Sequence, residues 1–195
     1  NAGGIGKTWL GLRWAHHSLA QFPDGQLYVN LRGFEPSGLP TPPATVLYGF
    51  LTALGVQPGA IPPTLDARAA LFRTMTADKR LLIMLDNARD TGQIGPLLPG
   101  SPTCVVLITS RNPCTDLVST HGAVQVCLTE LSDPDARAVL IHRIGADRIR
   151  AEDRAAEEIL SYCAGMPLAL GIAAATATTE ALSRVVLMMI GRAHV

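Results

Sequence analysis

The sequence predicts an α/β fold: a mostly parallel sheet with helices on both faces, followed by a small all-helical subdomain. Three observations carry this expectation. Short apolar runs of strand length at residues 27–31, 81–85 and 104–108 alternate with stretches of helical apolar spacing. A glycine-rich loop at residues 3–8 feeds straight into such a helical stretch. From Ser132 onward only helical spacing remains.

The elements follow in order. After the glycine loop, Trp9, Leu10, Leu12, Ala15 and Leu19 recur at near-helical spacing until Phe22-Pro23-Asp24-Gly25 ends the segment. Residues 26–31 read as a strand bounded by turn residues, and a proline-rich loop follows over 34–43. Residues 44–54 are a helix that stops at Gly55, and residues 66–77 are another, with Asp66 as the expected N-cap. The continuous apolar run 81–85 ending at Asp86 is the pattern of a strand buried on both faces of a parallel sheet. Residues 104–108 repeat it and end at Thr109-Ser110-Arg111, and residues 124–128 read as a weaker strand. Helices are expected at 134–144, 152–163 and 167–177, and no internal repeat is present.

Composition narrows the function classes. Sixteen basic and sixteen acidic residues cancel, so the net charge argues for neither a nucleic-acid surface nor an anionic membrane. Any DNA contact is expected only through domains outside this chain. Cys104, Cys114, Cys127 and Cys163 lack paired spacing, and the five histidines lack ligand spacing, which fits a reduced, cytoplasmic protein. No signal peptide is legible, and no apolar run reaches the ~18 residues of a membrane span.

The chemistry concentrates at Gly3-Gly4-Ile5-Gly6-Lys7-Thr8. Phosphates need many donors at close range; glycines let backbone N–H groups approach, and a following helix N-terminus adds partial positive charge. Lys7 is suited to the β- and γ-phosphates, and the Thr8 hydroxyl to Mg²⁺. Asp86, at a strand's carboxyl end, would hold the same magnesium, usually through water. The next residue is Asn87, an amide that cannot take a proton from an attacking water. Arg111, two residues past Thr109, is placed to reach a γ-phosphate and report its presence.

The order and spacing of Gly3 to Thr8, the run 81–87, Thr109-Ser110-Arg111 and Gly165-Met166-Pro167-Leu168 resemble the NB-ARC domain of STAND-class signal-transduction ATPases, which are P-loop NTPases. The stretch Leu27-Tyr28-Val29-Asn30-Leu31-Arg32-Gly33-Phe34 is similar to the branch found in actinobacterial transcriptional regulators. The resemblance covers residues 2–175. It implies an ADP/ATP switch that closes with ADP, opens or assembles with ATP, and hydrolyses slowly. It places the nucleotide between core and helical subdomain, with Pro167 near the adenine or ribose. Helix geometry alone also explains a glycine ending one helix and a proline starting the next. In this reading residues 1–130 are the nucleotide-binding core, 131–177 the helical subdomain and 178–195 a tail outside the resemblance.

The chain departs from the family at several points. Asn1 stands where the family has glycine, and the first central strand, expected before the loop, is missing. Winged-helix, effector, DNA-binding and sensing segments are absent too, so the chain reads as a fragment of a larger regulator, with a homo-oligomer an open question for the full-length protein. Without the central strand two neighbouring edges lose their partner, and the isolated chain is expected to be unstable or poorly soluble. Two alternatives to the switch stay open: a working ATPase or other P-loop enzyme, and a truncated chain without activity.

Overall fold

The computed structural model describes residues 3–35 and 38–193. Asn1 and Ala2 ahead of the glycine loop, residues 36–37 of the proline-rich loop and the last two residues lie outside them. The chain divides into two compact units, Lys7–Val126 and Cys127–Val195, the latter together with Asn1–Gly6.

In the first unit, strands β1 (Gln26–Asn30), β2 (Leu82–Ala88) and β3 (Val105–Ser110) form a parallel sheet in the order β1-β2-β3. Gln26 to Asn30 pair with Leu82 to Asp86, and Leu82 to Leu85 pair onward with Val105 to Ile108 in simple register. The central strand β2 is apolar from Leu82 to Leu85, where both its faces are covered, and turns polar at Asp86 and Asn87. Ile83 and Leu85 share one core with Leu27, Leu31, α2 (Pro43–Ala53) and α3 (Leu65–Thr76), in which Phe50 and Phe72 lie 5.8 Å apart. On the opposite face Leu82 packs with Ala15 of helix α1 (Lys7–His17) and with Phe22. Gly11 lets α1 approach there: a Cβ would come 2.9 Å from Met84 Cε and 3.2 Å from Leu107 Cδ2. The short helices α4 (Thr91–Ile94) and α5 (Thr115–His121) complete the unit. An α/β sheet with helices on both faces, as the sequence predicts, is the architecture of P-loop NTPases.

Three local expectations are corrected. Residues 124–128 are not a strand: the segment is irregular, with Val124 and Val126 exposed, and among the described residues no strand lies beside it to supply a ladder. Thr64, not Asp66, caps α3, its hydroxyl accepting from the Ala67 N–H at 3.4 Å, while Asp66 sits in the first turn where an acid favours the helix dipole. β3 is only half-buried, unlike β2, because it is an outer strand of the described sheet.

The second unit is helical. α6 (Asp133–Ile144) starts where Ser132 accepts from the Asp135 N–H, α7 (Ala146–Ala151) is a short helix the sequence did not predict, and α8 (Asp153–Cys163) is the helix expected at 152–163. α8 ends at Ala164, in the left-handed region at φ 44°. Gly165 follows at φ 68°, where a Cβ would fall 2.3 Å from the Leu131 carbonyl oxygen. The Leu131 N–H in turn donates to the Gly165 carbonyl at 2.9 Å. α9 (Pro167–Ala177) has proline in its first turn, where its missing N–H costs nothing. The tail contains α10 (Leu182–Ala193), whose Leu182, Val185 and Val186 join Leu140, Ile159, Cys163 and Leu170 in one apolar core.

Candidate functional site

Gly4 and Gly6 take φ of 86° and 91°, values that favour glycine, and Ile5 between them is buried. At Gly6 a Cβ would meet nothing within 4 Å, so backbone conformation rather than crowding selects glycine there. The turn runs straight into α1, whose first residues are Lys7 and Thr8, so their N–H groups belong to the first turn of a helix, where the dipole favours an anion.

Asp86 ends the regular part of β2 and is 4 % exposed. Its Oδ1 accepts from the Thr8 hydroxyl at 2.7 Å and from the Thr109 hydroxyl at 2.5 Å, and the Tyr28 hydroxyl points at its Oδ2 from 3.5 Å. The β2–β3 register slips between Leu85 and Ala88. There Asn87 adopts φ 57° and gives its N–H to the Thr109 hydroxyl at 2.9 Å instead of to a strand carbonyl. Asparagine is among the few side chains that enter the left-handed region readily, so Asn87 has a conformational reason beyond its lack of a basic carboxylate. Such bulges redirect side chains beside functional sites, and this one lets Thr109 serve Asp86 and Asn87 at once.

The electrostatics fit an anion. The Lys7 pKa is lowered first by desolvation and then by the charge of Arg111, so the two cations face a common region. The Tyr28 phenol is raised by desolvation and then by the Asp86 charge and hydrogen bond. The paired hydroxyl and carboxylate of Thr8 and Asp86 are hard oxygen donors of the kind magnesium takes. No cluster of three His, Cys, Asp or Glu occurs among the described residues, so an ion held by this pair would complete its shell with water and phosphate oxygens.

Of the residues singled out from sequence, Lys7, Thr8, Asp86 and Arg111 come together in the first unit. Gly3, Gly4, Ile5 and Gly6 group with Pro167 in the second. There the Leu168 N–H donates to the Gly4 carbonyl at 3.2 Å, and a Cβ on Gly4 would stand 3.1 Å from Leu168 Cβ. Sequence reasoning missed Tyr28 and the double role of Thr109. A hydroxyl near the carboxyl end of a strand that follows an acid-ended strand is a signal for Thr109; Tyr28 reaches Asp86 only through strand pairing.

The sheet order, the glycine turn feeding α1 and the acid at the end of β2 define a P-loop-type α/β protein. Two curated relatives place it further. The chain is 46% identical over 172 residues to the regulatory protein AfsR of Streptomyces griseus, which covers 88% of this chain and 17% of that protein. It is 44% identical over 172 residues to the regulatory protein AfsR of Streptomyces coelicolor, with the same coverage of 88% and 17%. The chain is thus homologous to a segment of actinobacterial regulatory proteins and spans 17% of their length. No family model matches it. No helix among the described residues is long and apolar enough to cross a membrane.

Proposed function

We propose that this chain is the ADP/ATP-binding switch module of a larger signalling or transcription-regulating protein, of the NB-ARC type within the STAND class. The observation that carries the reading is the meeting of Lys7, Thr8, Asp86 and Arg111 at the carboxyl ends of parallel strands, the place where ligands gather in such sheets. Residues 1–130 form the nucleotide-binding core, 131–177 the helical subdomain and 178–195 a tail appended to it.

In this reading the N–H groups of Gly3 to Gly6 and the start of α1 would bind phosphate oxygens, and Lys7 would supply a positive charge to the β- and γ-phosphates. Magnesium, when bound, neutralises phosphate charge. Thr8 and Asp86 would hold it, and Thr109 fixes the Asp86 carboxylate by donating to Oδ1. Arg111 would read the terminal phosphate, and for Pro167 a place on the base or ribose side is proposed from the family resemblance alone. Asn87 offers no carboxylate to activate water, so turnover is at most slow. The nucleotide therefore acts mainly as a conformational ligand. In this reading the protein works in the cytoplasm, and any DNA contact is made through other domains.

Titration of the full chain with a fluorescent ADP analogue in the presence of Mg²⁺ tests this. Saturable binding that Asp86→Ala weakens and excess unlabelled ATP displaces is expected. Hydrolysis at ~1 s⁻¹ or faster, lost in Asp86→Ala, would favour an active ATPase instead.

A further inference from the structure

The loop leaving β1 carries an aromatic ring that meets the arginine at the end of β3. The Arg111 guanidinium carbon lies 5.4 Å from the centroid of Phe34, within the range of a cation–π contact. Both partners ride on loops fastened to one short stretch, Asn87 to Arg89. On the Phe34 side, the Gly33 N–H donates to the Asn87 carbonyl at 2.7 Å. A Cβ on Gly33 would fall 2.5 Å from the Arg89 nitrogen and 2.6 Å from the Asn87 oxygen, so only glycine admits this backbone contact. Gln93, 7 % exposed, closes the same loop: its amide donates to the Leu31 and Thr41 carbonyls at 2.9 and 3.0 Å and accepts from the Arg89 N–H at 2.9 Å. On the Arg111 side, the Ser110 hydroxyl donates to the Ala88 carbonyl at 2.7 Å, and Asn112 Nδ2 donates to the Arg89 carbonyl at 2.9 Å.

Arg111 is thus held where its charge bears on Lys7. Two cations brought to one region repel, and the negative face of an aromatic ring offsets part of that repulsion before any anion arrives. We propose that Phe34 is a positioning residue that holds the Arg111 guanidinium toward the terminal phosphate of a bound nucleoside triphosphate, and so sets the preference for triphosphate over diphosphate. This rests on the nucleotide-binding reading above. A neutral aliphatic residue at position 34 would fill the space yet leave Arg111 without the ring.

The test is isothermal titration of the full chain with Mg·ADP and with a non-hydrolysable Mg·ATP analogue, in wild type, Phe34→Leu, Phe34→Trp, Arg111→Ala and the Phe34→Leu/Arg111→Ala double variant. Phe34→Leu is expected to weaken triphosphate binding by about three- to tenfold and diphosphate binding by less than about twofold, with Phe34→Trp close to wild type. In the Arg111→Ala background Phe34→Leu should add nothing. In the ligand-free chain the Arg111 Nε–H resonance, shifted by the ring current of Phe34, should move in Phe34→Leu and stay shifted in Phe34→Trp. Equal weakening of both nucleotides, or the same loss without Arg111, overturns the role of Phe34 while leaving nucleotide binding intact. A wild-type chain that binds neither nucleotide overturns both readings.

Discussion

The two units keep their polar groups in opposite places. Every buried polar residue among the described ones, Asp86, Thr109 and Gln93 included, lies in the α/β unit. Among the described residues the helical unit buries apolar side chains and the Cys163 thiol, and ion pairs such as Arg137 with Asp153 and Glu157 and Arg184 with Glu180 sit outside the core. Burying a polar group is unfavourable unless it is fully hydrogen-bonded. The α/β unit meets that condition, because no buried side-chain nitrogen or oxygen among the described residues lacks a partner. The contrast lies in what is buried: the α/β unit carries a satisfied polar network that includes Asp86 and Thr109 at its strand ends, whereas the core of the helical unit is apolar.

The largest effects should come from the cores, which obey the same rule in both units. Phe72 and Leu140 are fully buried. Truncation to alanine should cost about 3–5 kcal/mol at Phe72 and about 2–5 kcal/mol at Leu140, read from urea unfolding of the full chain. Gly165→Ala belongs to this class too, since it combines positive φ with a backbone clash at Leu131. It should cost at least about 1–3 kcal/mol by the same measurement.

A polar substitution separates the units. Thr109→Val keeps the shape but leaves Asp86 and the Asn87 N–H each short of a partner. Stability should fall by about 1–3 kcal/mol and affinity for Mg-nucleotide by about tenfold, while Thr109→Ser stays near wild type. A loss of stability in Thr109→Val with unchanged nucleotide affinity would reduce Thr109 to a packing residue and erase the contrast.

Smaller still is a pH effect in the helical unit. Burial pushes the Cys163 thiol from 9.0 up to about 11. The unfolded chain therefore gives up this proton first, so stability present below pH 9 is lost as pH rises toward about 11. The stability difference between wild type and Cys163→Ala should narrow across that window, followed by urea midpoints at several pH values. At the bottom of the scale, Arg137→Ala removes an exposed ion-pair network and should leave the urea midpoint nearly unchanged.

The central strand was the most legible element, because residues buried on both faces must be apolar in succession and the run 81–85 is. The phosphate-type loop was legible for a related reason: positive φ at Gly4 and Gly6 leaves little choice of residue. Residues 124–128 misled because alternating apolar character describes a face, whereas a strand exists only through its ladder. The polar framework of the site was mostly hidden. Gln93 binds carbonyls 62 and 52 residues earlier in the chain, and Tyr28 meets Asp86 through strand register. No local pattern encodes such pairings. α10 was hidden for another reason, since its sequence lies beyond the family resemblance and its helix is defined by the core it joins.

The central claim is that Lys7, Thr8 and Asp86 form a magnesium-nucleotide phosphate site. Calorimetric titration of Mg·ADP into the full chain, with and without EDTA and in Lys7→Ala, tests it most directly. Saturable one-site binding is expected, weaker without magnesium and lost in Lys7→Ala while the circular dichroism spectrum is retained. Absence of saturable binding in the folded wild-type chain, or binding that Lys7→Ala leaves unchanged, would contradict it.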